Sequence, residues 1–161
     1  MHTHHRRDAG FSIVEVLVAL VVLSIGMLGI AALYVESLRA GRTAVYRTQA
    51  VNLASDMADR IRANRTARDA YALAAADAPT EQNCAPPTPQ VCTPAQLAQD
   101  DMARWRAAIV DQLPGNGQQT PTGTIQVAAP PNAPLTRQYA IVITWSEPGE
   151  PALSYMLNLQ I

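Results

Sequence analysis

The sequence of 161 residues contains no lysine, so all twelve of its basic residues are arginine. The formal net charge is only −1, which excludes a chain that behaves as a polyelectrolyte along its whole length. Phenylalanine occurs once and tryptophan twice. A soluble domain built from so few large side chains is small, and its stability is marginal.

Cysteine is also scarce, with one pair at Cys84 and Cys92. Two thiols are too few for a structural zinc site, and the three histidines cluster at residues 2–5, far away in sequence. We find no nucleophile–base pair and no phosphate-binding loop, and therefore predict no enzyme, no cofactor and no metal. A closely spaced pair of cysteines in a chain with a membrane segment fits a disulfide formed in an oxidising compartment.

Proline is absent before Pro79, and the strongest apolar density lies between Val16 and Val35. Twenty helical residues are about 30 Å long, which is the thickness of a bilayer core. A small-x-small triplet, Gly29–Ala31, lies inside this run, which opposes ordinary signal-peptide cleavage there. The run therefore predicts a transmembrane helix.

The helical pattern continues beyond the apolar run, so we predict one helix from Ser12 to about Asn64. Gly41 weakens it by roughly 1 kcal/mol relative to alanine. Its second half is amphipathic, since apolar residues recur at helical spacing. They are Val51, Ala54, Met57, Ala58 and Ile61.

The rest of the chain predicts a loop, a second helix and three strands. Residues 77–94 hold five prolines and both cysteines, which is typical of a loop. Thr93, Pro94 and Gln96 form a capping box that opens the second helix. Its apolar stripe is Met102, Trp105, Ile109 and Leu113, and we interpret Asp100 and Asp101 as part of a solvated face.

Alternating apolar residues predict strands over residues 124–128, 138–145 and 153–161. Tyr139, Ile141, Ile143 and Trp145 share one face of the second strand. An antiparallel sheet packed on the amphipathic half of the long helix gives an α+β fold.

The most informative segment runs from Gly10 to Glu15, where an aromatic residue and a single acid precede the apolar span. A carboxylate beside hydrocarbon is costly, so Glu15 requires a partner. If the chain is cut after Gly10, Phe11 gains an α-amine that is positive at neutral pH. That amine, in the same or a neighbouring subunit, could pair with Glu15. The alternative, which Glu15 alone leaves open, is an interfacial acid at headgroup level.

The segment GFSIVEVLVALVVLSIGMLGI resembles the signal sequence of type IV pilins and of type II secretion pseudopilins. The resemblance implies that a prepilin peptidase cuts between Gly10 and Phe11, that Phe11 is N-methylated, and that Glu15 acts in filament assembly. It also implies a pilin-like fold and three sets of partners. These are major and minor pilins, the inner-membrane assembly machinery and, before assembly, the lipid bilayer.

The later part of the chain is similar to the pilus modification protein PilV, a minor pilin, in the segment from Leu53 to Asn64. It is also similar in the order of its later features, which are the cysteine pair, Trp105, Leu113-Pro114-Gly115 and the strand with Ile143-Thr144-Trp145. Major pilins often carry a proline about twenty residues into the mature chain, where this chain has Ala31 and Ala32. This departure favours a minor subunit, or less helix melting at this subunit.

We therefore expect a leader at residues 1–10, a membrane and assembly helix at 11–35, and a periplasmic head at 36–161. The mature protein would move from the inner membrane to the pilus at the cell surface. A pseudopilin of type II secretion or competence is the first alternative, and a membrane-anchored periplasmic binding module is the second. Seven arginines lie between Arg39 and Arg68. We favour a solvated helix face there over a nucleic-acid site, because acids are interspersed and aromatic residues are few.

Overall fold

The computed structural model describes residues 10–84, 91–133 and 135–161. The predicted leader up to residue 9 and the middle of the predicted proline-rich loop lie outside these ranges. The secondary structure consists of helix α1 (Ile13–Ala63), a 3-10 segment (Arg65–Tyr71), helix α2 (Pro94–Gln112) and three strands. The strands are β1 (Thr122–Ala128), β2 (Gln138–Trp145) and β3 (Leu153–Gln160).

The chain divides into two compact units, Met1–Arg42 and Thr43–Ile161, and α1 contributes to both. Because no proline interrupts this part of the sequence, α1 continues for 51 residues, close to the predicted bounds. In the second unit, α1 buries one face, which consists of Ala50, Leu53, Ala54, Met57, Ala58 and Ile61. The prediction for Val51 was wrong, since this side chain is 38% exposed. It lies about 100° around the helix from Ala50, at the edge of the buried face.

The three strands form one antiparallel sheet in the order β1-β2-β3. The central strand pairs on both sides, with Ile141 opposite Ile125 in β1 and opposite Leu157 in β3. Its predicted apolar row, Tyr139, Ile141, Ile143 and Trp145, is buried. The predicted α+β, pilin-like fold is thereby confirmed.

The core of the second unit is centred on Trp105 of α2, which is 1% exposed. Its indole Nε1 donates a hydrogen bond to the backbone carbonyl of Leu53 at 2.8 Å, so α2 is held against α1 by a polar contact as well as by packing. The predicted capping box is present, with the Thr93 side chain accepting from the Gln96 backbone at the start of α2. The ring of Trp105 packs so closely on Gly123 in β1 that a Cβ at this glycine would overlap it.

The predicted solvated face at Asp100 and Asp101 was wrong, because both residues are buried. The Asp100 carboxylate accepts from Arg104 Nε at 2.9 Å and from the backbone N–H of Gln82 at 2.7 Å. The two acids lie on the side of α2 that meets the 3-10 segment and the chain before Cys84. Their charges are tolerated there because each has hydrogen-bonding and charged partners.

Asp101 is the centre of a polar cluster that joins three elements. Its carboxylate accepts from Tyr71 Oη at 2.7 Å and from Arg60 at 3.0 Å. Asn64 donates to Tyr71 Oη and to the Pro94 carbonyl, which closes the junction of α1, the 3-10 segment and α2. Burial, together with the hydrogen bond to Asp101, raises the pKa of Tyr71, so this phenol remains a donor across the physiological range.

We predict that Gly123→Ala destabilises the second unit, because the new methyl group would displace the ring of Trp105. Overpacking of this kind costs about 1–3 kcal/mol. Denaturant unfolding of the detergent-solubilised chain, followed by tryptophan fluorescence, measures the loss. Thr124→Ala, on the other face of β1, is the control and should be much milder. Equal stabilities for the glycine variant and the wild type would contradict the packing argument.

We further predict that Asp101→Ala lowers the free energy of unfolding by about 1–3 kcal/mol, because Tyr71 and Arg60 lose their shared acceptor in a partly buried site. The matched control is Asp59→Ala. Asp59 pairs with Arg62 on an exposed helix face and should contribute no more than about 0.5 kcal/mol. The same unfolding measurement applies, and an Asp101 variant as stable as the Asp59 variant would refute the structural role of the cluster.

Candidate functional site

Helix α1 begins immediately after Ser12, which caps its amino terminus. The Ser12 hydroxyl accepts from the backbone N–H of Val14 at 3.3 Å, and its carbonyl accepts from Glu15 and Val16. Glu15 lies in the first turn of α1, where a negative charge is stabilised by the helix dipole. The sequence interpretation missed this cap, although Ser-x-x-Glu before an apolar run is a recognised helix-start pattern.

The acid lies on a defined face of the helix. Phe11, Glu15, Ala19 and Leu23 follow one another at four-residue spacing and line one shallow concavity of about 530 Å³. Glu15 is therefore on an apolar stripe and not on a polar one, and within the described residues it forms no ion pair. A single carboxylate on such a stripe is suited to pair with a cation brought by another molecule or by a new amino terminus.

The helical part of the first unit buries none of its side chains. Large apolar residues are exposed throughout, from Phe11 at 82% to Val35 at 58%. Among the described residues, α1 is the one helix long and apolar enough to cross a membrane. Ser24, a polar residue inside the run, donates its hydroxyl to the Leu20 carbonyl at 2.7 Å, so it adds no unsatisfied group. An exposed apolar surface of this extent is typical of a segment that contacts a membrane or another protein.

The cysteines are joined as the sequence interpretation expected. Cys84 and Cys92 form a disulfide with a Cα–Cα distance of 5.8 Å. The two cysteines are separated by 8 positions in the sequence, and Cys92 immediately precedes the Thr93 cap of α2. The backbone contact from Gln82 to Asp100 lies two residues before the first cysteine. The backbone of Gln82 is thus bonded to α2 close to the disulfide.

The arginine-rich stretch does not form one continuous basic surface. Arg60 pairs with Asp56 and Asp101, and Arg62 pairs with Asp59. Arg39 lies 3.9 Å from Glu36, near the end of the apolar run. Three of the seven arginines thus have acidic partners, as expected for a solvated helix face with interspersed acids. The described residues also contain no group of three or more His, Cys, Asp or Glu side chains placed to hold a metal ion.

Comparison with protein families gives two matches that adjoin along the chain. Residues 5–31 match the prokaryotic N-terminal methylation motif. Residues 32–103 match the family described as type IV pilin Tt1218. Comparisons with curated proteins and with solved structures gave no match.

The first match contains Gly10, Phe11 and Glu15, and the second contains the amphipathic half of α1, both cysteines and the start of α2. The specific roles of those three N-terminal residues stay predictions. Together with the long apolar helix and the small antiparallel sheet, the two matches show that this chain is similar to type IV pilins over residues 32–103 and to the N-terminal methylation motif over residues 5–31.

Proposed function

We propose that this protein is a minor type IV pilin, a structural subunit that takes part in pilus assembly or initiation and so supports twitching motility and adhesion. The family is structural and not enzymatic. The observation that carries the proposal is the union of the methylation motif with a helix that exposes an unbroken apolar surface and one carboxylate. In the membrane, lipid covers that surface; in a filament, the helices of neighbouring subunits replace the lipid.

The proposed processing follows from this arrangement. Prepilin peptidase would cut between Gly10 and Phe11, and the new amine of Phe11 would be methylated. Ser12 would then be the second residue of the mature chain and would still cap α1, since its bonds are to Val14, Glu15 and Val16. The head would lie in the periplasm, where Cys84 and Cys92 can oxidise.

We favour a PilV-like minor subunit for two reasons. The segment from Leu53 to Asn64 resembles PilV, and alanines occupy positions 31 and 32, where major pilins often have a proline. In the structure, that segment includes the buried residues Leu53, Met57 and Ile61 together with Asn64 of the polar cluster. The similarity is therefore in the part of α1 on which the head is built. A pseudopilin of type II secretion or competence has the same processing and the same helix. The deletion phenotype, loss of twitching or loss of secretion, distinguishes the two.

The intact mass of the protein extracted from membranes tests the proposed processing. We expect a chain that begins at Phe11, carries one added methyl group and lacks the two hydrogens that the disulfide removes. Reduction should restore those two hydrogens. A chain with its leader intact would refute the proposed pilin processing and would favour a membrane-anchored binding module. A cut near Ala31 would also refute the processing, and it would remove most of the membrane span.

We predict that Glu15→Ala prevents efficient entry into filaments without affecting insertion or folding of the head. The amine of Phe11 would lose its partner in an apolar layer, and an unpartnered buried charge costs about 3–5 kcal/mol. Incorporation should fall by at least about tenfold, because about 1.4 kcal/mol corresponds to a factor of ten. The measurement compares the amount of the variant in membranes with the amount in sheared pili.

Glu36→Ala is the matched control. Glu36 is also an acid on α1, but it lies beyond the apolar run and pairs loosely with Arg39 while 72% of its side chain is exposed. This variant should enter filaments normally. Normal incorporation of Glu15→Ala with an unchanged number of pili would show that the carboxylate plays no part in assembly. Loss of that variant from the membrane itself would assign Glu15 to insertion or stability.

A further inference from the structure

Strand β3 has an open edge. It pairs with β2 along its full length on one side. On its other side, no strand among the described residues is paired with it. The edge of β1 is different, because Leu73 and Ile125 exchange two backbone hydrogen bonds of 2.9 Å there. One edge of the sheet is therefore bonded to another segment at one position, whereas the other edge has no partner strand among the described residues.

The register shows which backbone groups the open edge presents. Arg137 and Ile161 exchange hydrogen bonds of 2.7 and 2.9 Å just beyond the paired strands. In an antiparallel pair such residues alternate with residues that do not bond across the ladder. Even-numbered residues of β3 consequently direct their N–H and C=O groups away from β2. They are Ser154, Met156, Asn158 and Gln160.

This edge lacks the features that usually protect edge strands from pairing. Natural edges carry charged side chains, prolines or bulges, or are very short. β3 has eight residues, and none of them is charged or proline. Its inward-facing side chains Leu153, Tyr155 and Leu157 are only half-buried, although they belong to the apolar face that packs on the core. The sheet ends before that face is fully covered.

Arginines lie at both ends of the incompletely covered row. At the beginning of β3, a cavity of about 280 Å³ is lined by Arg47 and Val51 of α1 and by Leu153 and Tyr155. At its end, a cavity of about 230 Å³ is lined by Arg65 and Arg68, with Tyr139 and Ile161.

These three arginines are exposed, and none forms an ion pair with a residue that the structure describes. Arg68 adopts a φ of 45°, a conformation that side chains other than glycine rarely adopt. The fold therefore tolerates local backbone strain at the residue that places one of these charges beside the end of β3.

We propose that the open edge of β3 receives an extended strand from a neighbouring pilin subunit, with an uncharged, alternately apolar middle and an acidic residue near each end. The identity of the partner as a pilin rests on the proposed function. Backbone hydrogen bonds to residues 154–160 supply affinity, and the apolar side chains cover Leu153, Tyr155 and Leu157. The acidic ends pair with Arg47 on one side and with Arg65 and Arg68 on the other.

Charge excludes a second copy of β3 as a good occupant. In an antiparallel pair of identical strands, Arg47 of one copy would approach Arg65 and Arg68 of the other at each end. β3 itself provides no acid to offset them, and Asp69, which lies beside Arg68, is already paired with Arg137. Like charges in register disfavour pairing, so the occupant is a different strand with acids at its ends.

A photo-crosslinking residue, benzoylphenylalanine, at Asn158 of the full-length chain in piliated cells tests the proposal. Position 158 is exposed and at the open edge, whereas Val110 on α2, which is 56% exposed, is the control position. We expect an adduct at position 158 whose second peptide belongs to another pilin and has acidic residues around an apolar strand. An adduct with a second copy of this chain, with a protein other than a pilin, or with no strand segment would overturn the proposal.

Two matched pairs of variants examine the contacts. Met156→Pro removes one outward N–H, while Met156→Thr removes the same side chain and keeps that N–H. The adduct should fall about tenfold with proline and stay unchanged with threonine. Arg47→Glu combined with Arg68→Glu should also reduce it, whereas Arg62→Glu, on the face that pairs with Asp59, should not.

Protease resistance of the head, measured for each variant, identifies any that fail to fold. If the proline variant is misfolded, the charge-reversal pair decides the outcome. An adduct insensitive to both pairs refutes strand addition. Intact mass distinguishes the two proposals: a correctly processed chain without the adduct refutes only strand addition. An uncleaved chain refutes the proposed function, and the Met156 pair then still decides whether the edge binds a strand.

Discussion

Helix α1 has to satisfy two different environments with one continuous backbone. The side chains in the first half of the helix are all exposed. The second half buries one face against the rest of the head. Away from its two ends, the backbone groups of a helix are bonded internally, so the same secondary structure suits hydrocarbon, packed helices and a water-facing domain. The division of the chain at residues 42 and 43 follows this change of environment. The proposed pilin role depends on it, because only a helix that is stable without its own domain around it could exchange lipid for neighbouring helices.

The head gains its specificity from a few contacts between distant residues. Trp105 joins α2 to α1 through the Leu53 carbonyl and leaves room for nothing larger than glycine at position 123. Asp101 and Tyr71 join three elements through hydrogen bonds that are strong because they are partly shielded from water. The head has two tryptophans and no phenylalanine, since the one phenylalanine of the chain is Phe11, so it has little apolar area in reserve. Polar contacts with good geometry and a disulfide are a common supplement in domains of this size.

Among the described residues, only one edge of the sheet in this head is bonded to a further segment. Leu73 covers part of the β1 edge, while β3 is uncharged, has an apolar face that is only half-buried, and pairs with no second strand among the described residues. In an isolated soluble protein such an edge would invite aggregation. In a subunit that functions within an assembly, an unprotected edge is consistent with a surface that a specific neighbour covers. The arginines at both ends, which form no ion pair with the residues that the structure describes, would then select that neighbour by charge, which is the usual role of rim charges at an interface.

The sequence alone determined the features that depend on local pattern. The apolar run, the absence of proline and the Thr93 capping box set the two helices, and strict alternation set the faces of β2 and β3. The segment from Gly10 to Glu15 could likewise be interpreted from the sequence, because the interpretation depends on the order of residue types along one helix. Val51 was misassigned, since a 3.6-residue period defines a broad stripe and only packing decides which residues lie at its centre.

Only the tertiary structure decided what surrounds each charge. Asp100 and Asp101 have the spacing of a solvated pair, yet both are buried, because Gln82, Tyr71 and Arg60 arrive from parts of the chain 18 to 41 residues away. No local pattern encodes such partners. The same holds for the open edge of β3. Its uncharged sequence was visible from the start, but pairing order and the positions of Arg47, Arg65 and Arg68 exist only once the sheet has formed on α1. Burial and charge are properties of neighbours in space, and those neighbours are chosen by the fold.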